Sequence, residues 1–156
     1  MVEKLIRTSD VMVANPKTVS PTTTIWAALA LMRQNDIRHL LVVGADGKLE
    51  GILSNRDFRR LVDFLDADGK VPRVREMTVS EIMTKGPKIF SARVGTPLLN
   101  IAQLMVRERV GAIPIVDDAR RPLGIVTQKD VMGELVRQLA PAPLNLDKPA
   151  DRPRKR

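Results

Sequence analysis

Two short stretches carry residue types that could do chemistry. Gly51-Ile52-Leu53-Ser54-Asn55-Arg56-Asp57 and Gly124-Ile125-Val126-Thr127-Gln128-Lys129-Asp130 share one form: glycine, two apolar residues, a hydroxyl residue, two polar residues, aspartate. Each reads as a strand running directly into a helix. Ser54 with Asp57 and Thr127 with Asp130 are spaced as a capping box with Asp in place of Glu, a role that needs no ligand. The same spacing also suits binding. A helix N-terminus offers unpaired N–H groups and the positive end of its dipole to a phosphate. Ser54 or Thr127 could add a hydroxyl donor, and Arg56 or Lys129 could add charge. An Asp one turn into the helix can accept hydrogen bonds from the two vicinal hydroxyls of a ribose. Spacing alone leaves both readings open.

Enzyme chemistry finds little support. His39 is the only histidine and there is no cysteine, so no base stands beside a nucleophile and no transition-metal cluster can form. His39 lies in an apolar run, where a packing role comes first and a functional one second. There is no Walker loop and no G-x-G-x-x-G. Asp66-Ala67-Asp68-Gly69 resembles part of a calcium loop, but Phe64 stands where the first Asp ligand belongs and Arg75 where the closing Glu belongs. The expectation is a protein that is not an enzyme, with no catalytic residue, no metal and no required cofactor.

The elements that would position the two motifs occur twice. Thr127 follows Ser54 by 73 residues, and much of the chain repeats near that offset. Ser9-Asp10-Val11-Met12 matches Ser80-Glu81-Ile82-Met83, each suiting a short capped helical turn. Pro16-Lys17-Thr18-Val19-Ser20 matches Pro87-Lys88-Ile89-Phe90-Ser91, an extended stretch after a helix stop. Ile25, Ala28, Leu29 and Met32, and again Leu98, Ile101, Ala102 and Met105, mark amphipathic helices, with Thr23 and Thr96 at the N-cap positions and Pro97 at a first helical position. The methionines read as core filler. Next come paired apolar runs, His39–Val43 with Leu49–Leu53 and Ala112–Val116 with Leu123–Val126. Asp46-Gly47 marks the first hairpin, and Pro114 argues that one edge of its strand lacks a full ladder partner. Closing helices carry apolar faces of Phe58, Leu61, Val62 and Leu65, then Met132, Leu135, Val136 and Leu139.

These boundaries give a first repeat over 9–65, a polar linker over 66–79, a second repeat over 80–139, and a tail over 141–156 too poor in apolar residues to fold. The chain of 156 residues is 44% hydrophobic and 28% charged, as in ordinary globular proteins. No apolar run reaches the ~18 residues of a membrane span. With no secretory signal pattern at Met1, the expectation is a cytoplasmic protein with no membrane partner. The net charge is +8, and +5 without the tail, which favours anionic partners. A nucleic-acid-binding or scaffold role is therefore the alternative, although aromatics at 3% and no tyrosine leave few stacking platforms.

The ordered set of motifs, carried twice, resembles a tandem pair of CBS (cystathionine-β-synthase) domains, a Bateman module. The resemblance spans Ser9 to Leu139. It implies an α/β (α+β) fold of two β-α-β-β-α repeats packed about a pseudo-twofold axis with two clefts between them. It implies a regulatory module that senses an adenine nucleotide (AMP, ADP or ATP) or another adenosyl compound such as S-adenosylmethionine. The residues that would bind are Ser54, Asn55, Arg56 and Asp57 in one motif and Thr127, Lys129 and Asp130 in the other. Thr18-Val19 and Ile89-Phe90 would hold the adenine, with Pro114 nearby, and Arg38 and His39 match basic positions that reach phosphates. Gly111 and Ala112 stand at those positions in the second repeat, so the two sites are not equivalent. The resemblance also implies a homodimer of modules and a regulated partner protein.

Overall fold

The structure is a computed structural model that describes residues 5–64 and 76–139. Leu65, the linker from 66 to 75 and the tail from 141 onward lie outside the described residues. Two sheets hold the molecule together. One has the order β2-β3-β4-β5, from Thr18–Val19, His39–Val43, Leu49–Ser54 and Thr84–Lys85. The other has the order β1-β7-β6, from Val13–Ala14, Pro122–Thr127 and Ala112–Val116. Helices α2 (Ile25–Gln34) and α4 (Leu98–Glu108) cover the sheets, the short helices α1 (Thr8–Val11) and α3 (Val79–Ile82) precede β1 and β5, and α5 (Gln128–Leu139) follows β7. This is the expected pair of β-α-β-β-α repeats.

The connectivity adds something the motifs did not reveal. Each repeat lends its first arm to the other. β1 pairs with β7, placing Val13 opposite Ile125, while β5 pairs with β4, placing Thr84 opposite Ile52. Packing follows the same exchange. The first core holds Ile25, Ala28, Met32, Leu40, Val42 and Leu53 together with Met77 and Val79, from the end of the stretch 66–79 expected as a linker, and Ile82. The second holds Leu98, Ile101, Met105, Ile113, Ile115 and Val126, with Ile6, Val11 and Met12 against it. A third cluster, Leu41, Leu49, Ala112, Val116 and Ile125, joins the two sheets. Thr8 is fully buried because its hydroxyl donates to the Arg93 carbonyl and accepts from Gly95 N–H, both at 3.1 Å, which pins α1 to the second repeat.

Repetition extends to backbone conformation. Left-handed residues occur at Asn15 and Gly86, at Asp36 and Arg109, and at Gly47 and Arg120. The first pair is separated by 71 residues and the other two by 73. The second repeat therefore carries two extra residues after its arm, taken up by the 3-10 turn Gly86–Lys88. The counterpart of Val19 is consequently Ala92: Val19 pairs with Val42, and Ala92 bridges in parallel to Ile115. Pro114 explains why this bridge stays isolated. Leu41, at the equivalent position, donates its N–H to the Lys17 carbonyl, and proline has no N–H to give.

Several local expectations are corrected. The cap of α2 is Thr24, whose side chain accepts from Ala27 N–H at 3.2 Å, while Thr23 bonds back to Ser20. Pro97 is itself the N-cap residue of α4, and the Thr96 hydroxyl donates to the Arg93 carbonyl. Ser9 and Ser80 sit inside their helices; the caps are closed by Asp10 on Arg7 N–H and Glu81 on Thr78 N–H. The first closing segment is a 3-10 helix, Asp57–Phe64, with Phe58 and Leu61 packed on the first core. The apolar face of α5 points outward: Met132, Leu135, Val136 and Leu139 are all exposed, and Val131 and Glu134 face inward instead.

Candidate functional site

Both strand-to-helix turns have the same local geometry. Asp57 Oδ2 accepts from Ser54 N–H at 2.6 Å and from the Ser54 hydroxyl at 2.8 Å. Asp130 Oδ2 accepts from Thr127 N–H and from the Thr127 hydroxyl, both at 2.7 Å. The carboxylate half of the capping box is therefore realised at both turns, with the hydroxyl turned to the carboxylate. Asp57 is buried and Asp130 is half-buried. The next residue in each turn is tied to the opening of the neighbouring strand: Asn55 N–H donates to the Arg38 carbonyl, and Gln128 N–H to the Gly111 carbonyl.

The glycine that opens each motif has a packing cause. A Cβ on Gly51 would lie 2.3 Å from Met83 Sδ, and one on Gly124 would lie 2.6 Å from Met12 Sδ. The methionine of each exchanged arm thus rests on the glycine of the other repeat's motif, joining the two signature segments.

His39 opens β3 opposite Ser54. Its proton affinity is held below that of an ordinary imidazole, first by burial and then by Arg56 and Arg38, while Asp57 acts in the opposite direction. Arg38, Arg56 and Asp57 are thus the charged groups that act on the His39 ring. Arg38 and Asn55 also line a cavity of about 350 Å³ with Arg33, Asp36 and the apolar floor Leu29, Met32, Ile37 and Phe58.

A larger cavity, about 640 Å³, opens between the repeats. Leu49 and Glu50 of β4, Met83 and Lys85 of the exchanged arm, Gly86, Pro87 and Ile89 beyond it, and Arg120 of the β6–β7 turn form its walls. Neither Asp57 nor Asp130 lines either cavity. Of the other expected residues, Thr18 and Val19 form the edge strand β2, Phe90 packs on the second core, Pro114 is buried in β6, and Lys129 is exposed on α5. Glu50, Lys85 and Arg120 belong to no sequence motif: the pairing of β4 with the exchanged arm and the bond from Leu49 N–H to the Arg120 carbonyl bring them together. Among the described residues, no cluster of His, Cys, Asp or Glu could hold a metal, and no helix is long and apolar enough to cross a membrane.

Comparison with known proteins agrees with this architecture. The CBS domain profile matches residues 9–63 and 79–137. A CBS domain-containing protein of Dictyostelium discoideum is 34% identical over 130 residues, covering 81% of this chain and 88% of its own length. The uncharacterised protein MJ1225 of Methanocaldococcus jannaschii is 37% identical over 134 residues, covering 80% of this chain but 44% of its own length. Among solved structures, the CBS domain pair of protein MJ0100, in complex with 5′-methylthioadenosine and S-adenosyl-L-methionine, superposes with a TM-score of 0.74 at 27% identity over 86% of this chain and 98% of that one. With both repeats matched and their motifs at equivalent turns, the chain belongs to the CBS domain family, as a tandem pair.

Proposed function

We propose that this chain is a non-catalytic regulatory module that takes an adenine nucleotide or another adenosyl compound in the clefts between its repeats. The observation that carries the reading is the duplicated turn. A carboxylate, a hydroxyl and a helix N-terminus are brought together twice, in a chain 27% identical to a CBS pair that binds two adenosyl compounds. At Asp130 both protein bonds fall on Oδ2, so Oδ1 is the oxygen for a ribose hydroxyl. Thr127 and Lys129 would face the phosphate or its replacement. At the other turn Asp57 would hold the ribose, with Ser54, Asn55, Arg56, Arg38 and His39 toward the anionic end. The extended stretches Thr18-Val19 and Ile89-Phe90 would hold the adenine through backbone groups, with Pro114 nearby.

Signalling would follow from the exchanged arms. A ligand bridging a motif and an arm binds one relative arrangement of the repeats better than another, and shifts the population toward it. The outward apolar faces of α4 and α5 would meet a second copy of the chain. Titration by calorimetry with AMP, ADP, ATP, S-adenosylmethionine and 5′-methylthioadenosine tests the reading. Saturable heat with at least one supports it, and no heat with any at millimolar concentration ends it.

A further inference from the structure

His39 stands beside the first strand-to-helix turn and reaches Gly111, at the opening of the strand that flanks the second. It stands opposite Ser54 in the β3–β4 ladder, and directly opposed side chains lie on one face within a few ångströms. The same ring reaches the second repeat. Its Nε2 and Cε1 lie 3.2 and 3.4 Å from the point where a Cβ on Gly111 would stand, and Gln128 Oε1 lies 4.0 Å from that point. Gln128 follows Thr127 directly, and Ala112, beside Gly111, is opposite Thr127 in the β6–β7 ladder. The relation is one-sided. Ala112 occupies the His39 position of the second repeat and has no side chain to return the contact, while Gly111 occupies the Arg38 position and leaves room for the ring.

We propose that His39 is a single polar group shared by the two ligand sites, so that phosphate-bearing ligands at the Ser54–Asp57 and Thr127–Asp130 turns draw on the same imidazole and the second binds more weakly than the first. This rests on the adenosyl reading above. The charged groups acting on the ring are Asp57, Arg56 and Arg38, with the neutral Gln128 amide on the side of the second repeat. A phosphate arriving at either turn adds an anion beside a ring whose protonation burial and two arginines oppose. That ring can be hydrogen-bonded and charged by one phosphate, and two phosphates must divide it.

The chain has one histidine, so the Cε1–H of its imidazole gives one assigned proton NMR signal without any substitution. AMP is titrated into the wild type, Asp57→Ala and Asp130→Ala, following that signal and the binding heat, with adenosine as the probe lacking a phosphate. The expected result is that AMP moves the His39 signal in both variants, that adenosine moves it in neither, and that His39→Gln weakens AMP at each isolated site by about fivefold or more, the loss of one hydrogen bond. The second AMP taken up by the wild type binds several-fold more weakly than the same site alone. A signal that responds in one variant only, or a wild type that takes a single AMP, overturns the sharing and leaves the adenosyl reading standing. No binding of any adenosyl compound overturns both.

Discussion

Met83 Sδ rests on Gly51 so closely that a Cβ there would lie only 2.3 Å away. The carbonyl of Thr84 would be 3.1 Å from the same Cβ, so the Met83 side chain must swing away and the Thr84 backbone must give by a few tenths of an ångström. Gly51→Ala should therefore destabilise the chain by about 1–3 kcal/mol, as overpacking does. Met83→Ala opens the space at its own cost. In the double variant the two losses should fall short of their sum, since the residues touch. Urea unfolding of the four proteins measures the coupling; strict additivity would remove the contact from the account.

Asp130→Ala removes two hydrogen bonds at the start of α5 and the proposed ribose acceptor together. Loss of the cap should cost about 1 kcal/mol of stability. Loss of charge-assisted bonds to a ribose should weaken adenosyl binding roughly ten- to hundredfold at that site, leaving the Asp57 site intact. Thermal melting and calorimetry separate the two effects. An unchanged affinity alongside a lowered melting point would assign Asp130 to capping alone.

His39 makes stability depend on pH in a defined direction. Burial, aided by Arg56 and Arg38 and opposed by Asp57, lowers its folded pKa below the ordinary 6.5. As pH falls through 6.5 the unfolded chain takes up the proton first, so the contribution of His39 is intact above that value and is lost as pH drops toward the folded pKa. His39→Gln should flatten the fall in melting temperature between about pH 7.5 and 5.5, a window set by the ordinary imidazole pKa. Parallel curves for the two proteins would contradict this.

Arg109 ends α4 in the left-handed conformation, with φ of 55°. Its side chain is exposed, and only the backbone is asked for at this position. Glycine adopts that conformation without a Cβ penalty, so Arg109→Gly should raise stability by up to about 1 kcal/mol. Chemical denaturation measures it, and a loss of stability would mean that the side chain contributes something beyond its backbone.

The outward faces of α4 and α5 present Leu99 and Val106, then Met132, Leu135, Val136 and Leu139, with Val106 80% exposed. If a second copy covers them, Leu135→Glu with Val136→Glu should shift the chain from dimer to monomer in light scattering and leave its circular dichroism unchanged. A wild type that is already monomeric at high concentration would exclude this interface.

Much of this architecture was legible in the residue pattern, and the places where it was not have physical reasons. Strands His39–Val43 and Ala112–Val116 stand where their apolar runs placed them. The arm exchange was hidden because β1 and β5 are two residues long, too short to show a period of two. Cap positions slipped because threonines occur in a row: Thr23 and Thr24 both have the right chemistry, and only the local turn that ties Thr23 to Ser20 assigns each its role. The matching of Ile89-Phe90 to Thr18-Val19 followed the proline spacing, whereas the sheet register follows the later offset. The α5 periodicity was real, but periodicity shows that a face is apolar without saying what covers it. The bonds that Asp57 and Asp130 make to Ser54 and Thr127 were legible from spacing, while the cavity wall of Lys85 and Arg120 required the fold to bring distant segments together.

The lending of arms between repeats has a consequence for how the molecule comes apart. Neither half can finish its own sheet: remove the second, and β4 loses its edge strand while β1 has nothing to pair with. Melting should then be one event for the whole chain rather than two in succession. A change felt at one cleft cannot stay local, because the segment that would have to yield there is rooted in the opposite half.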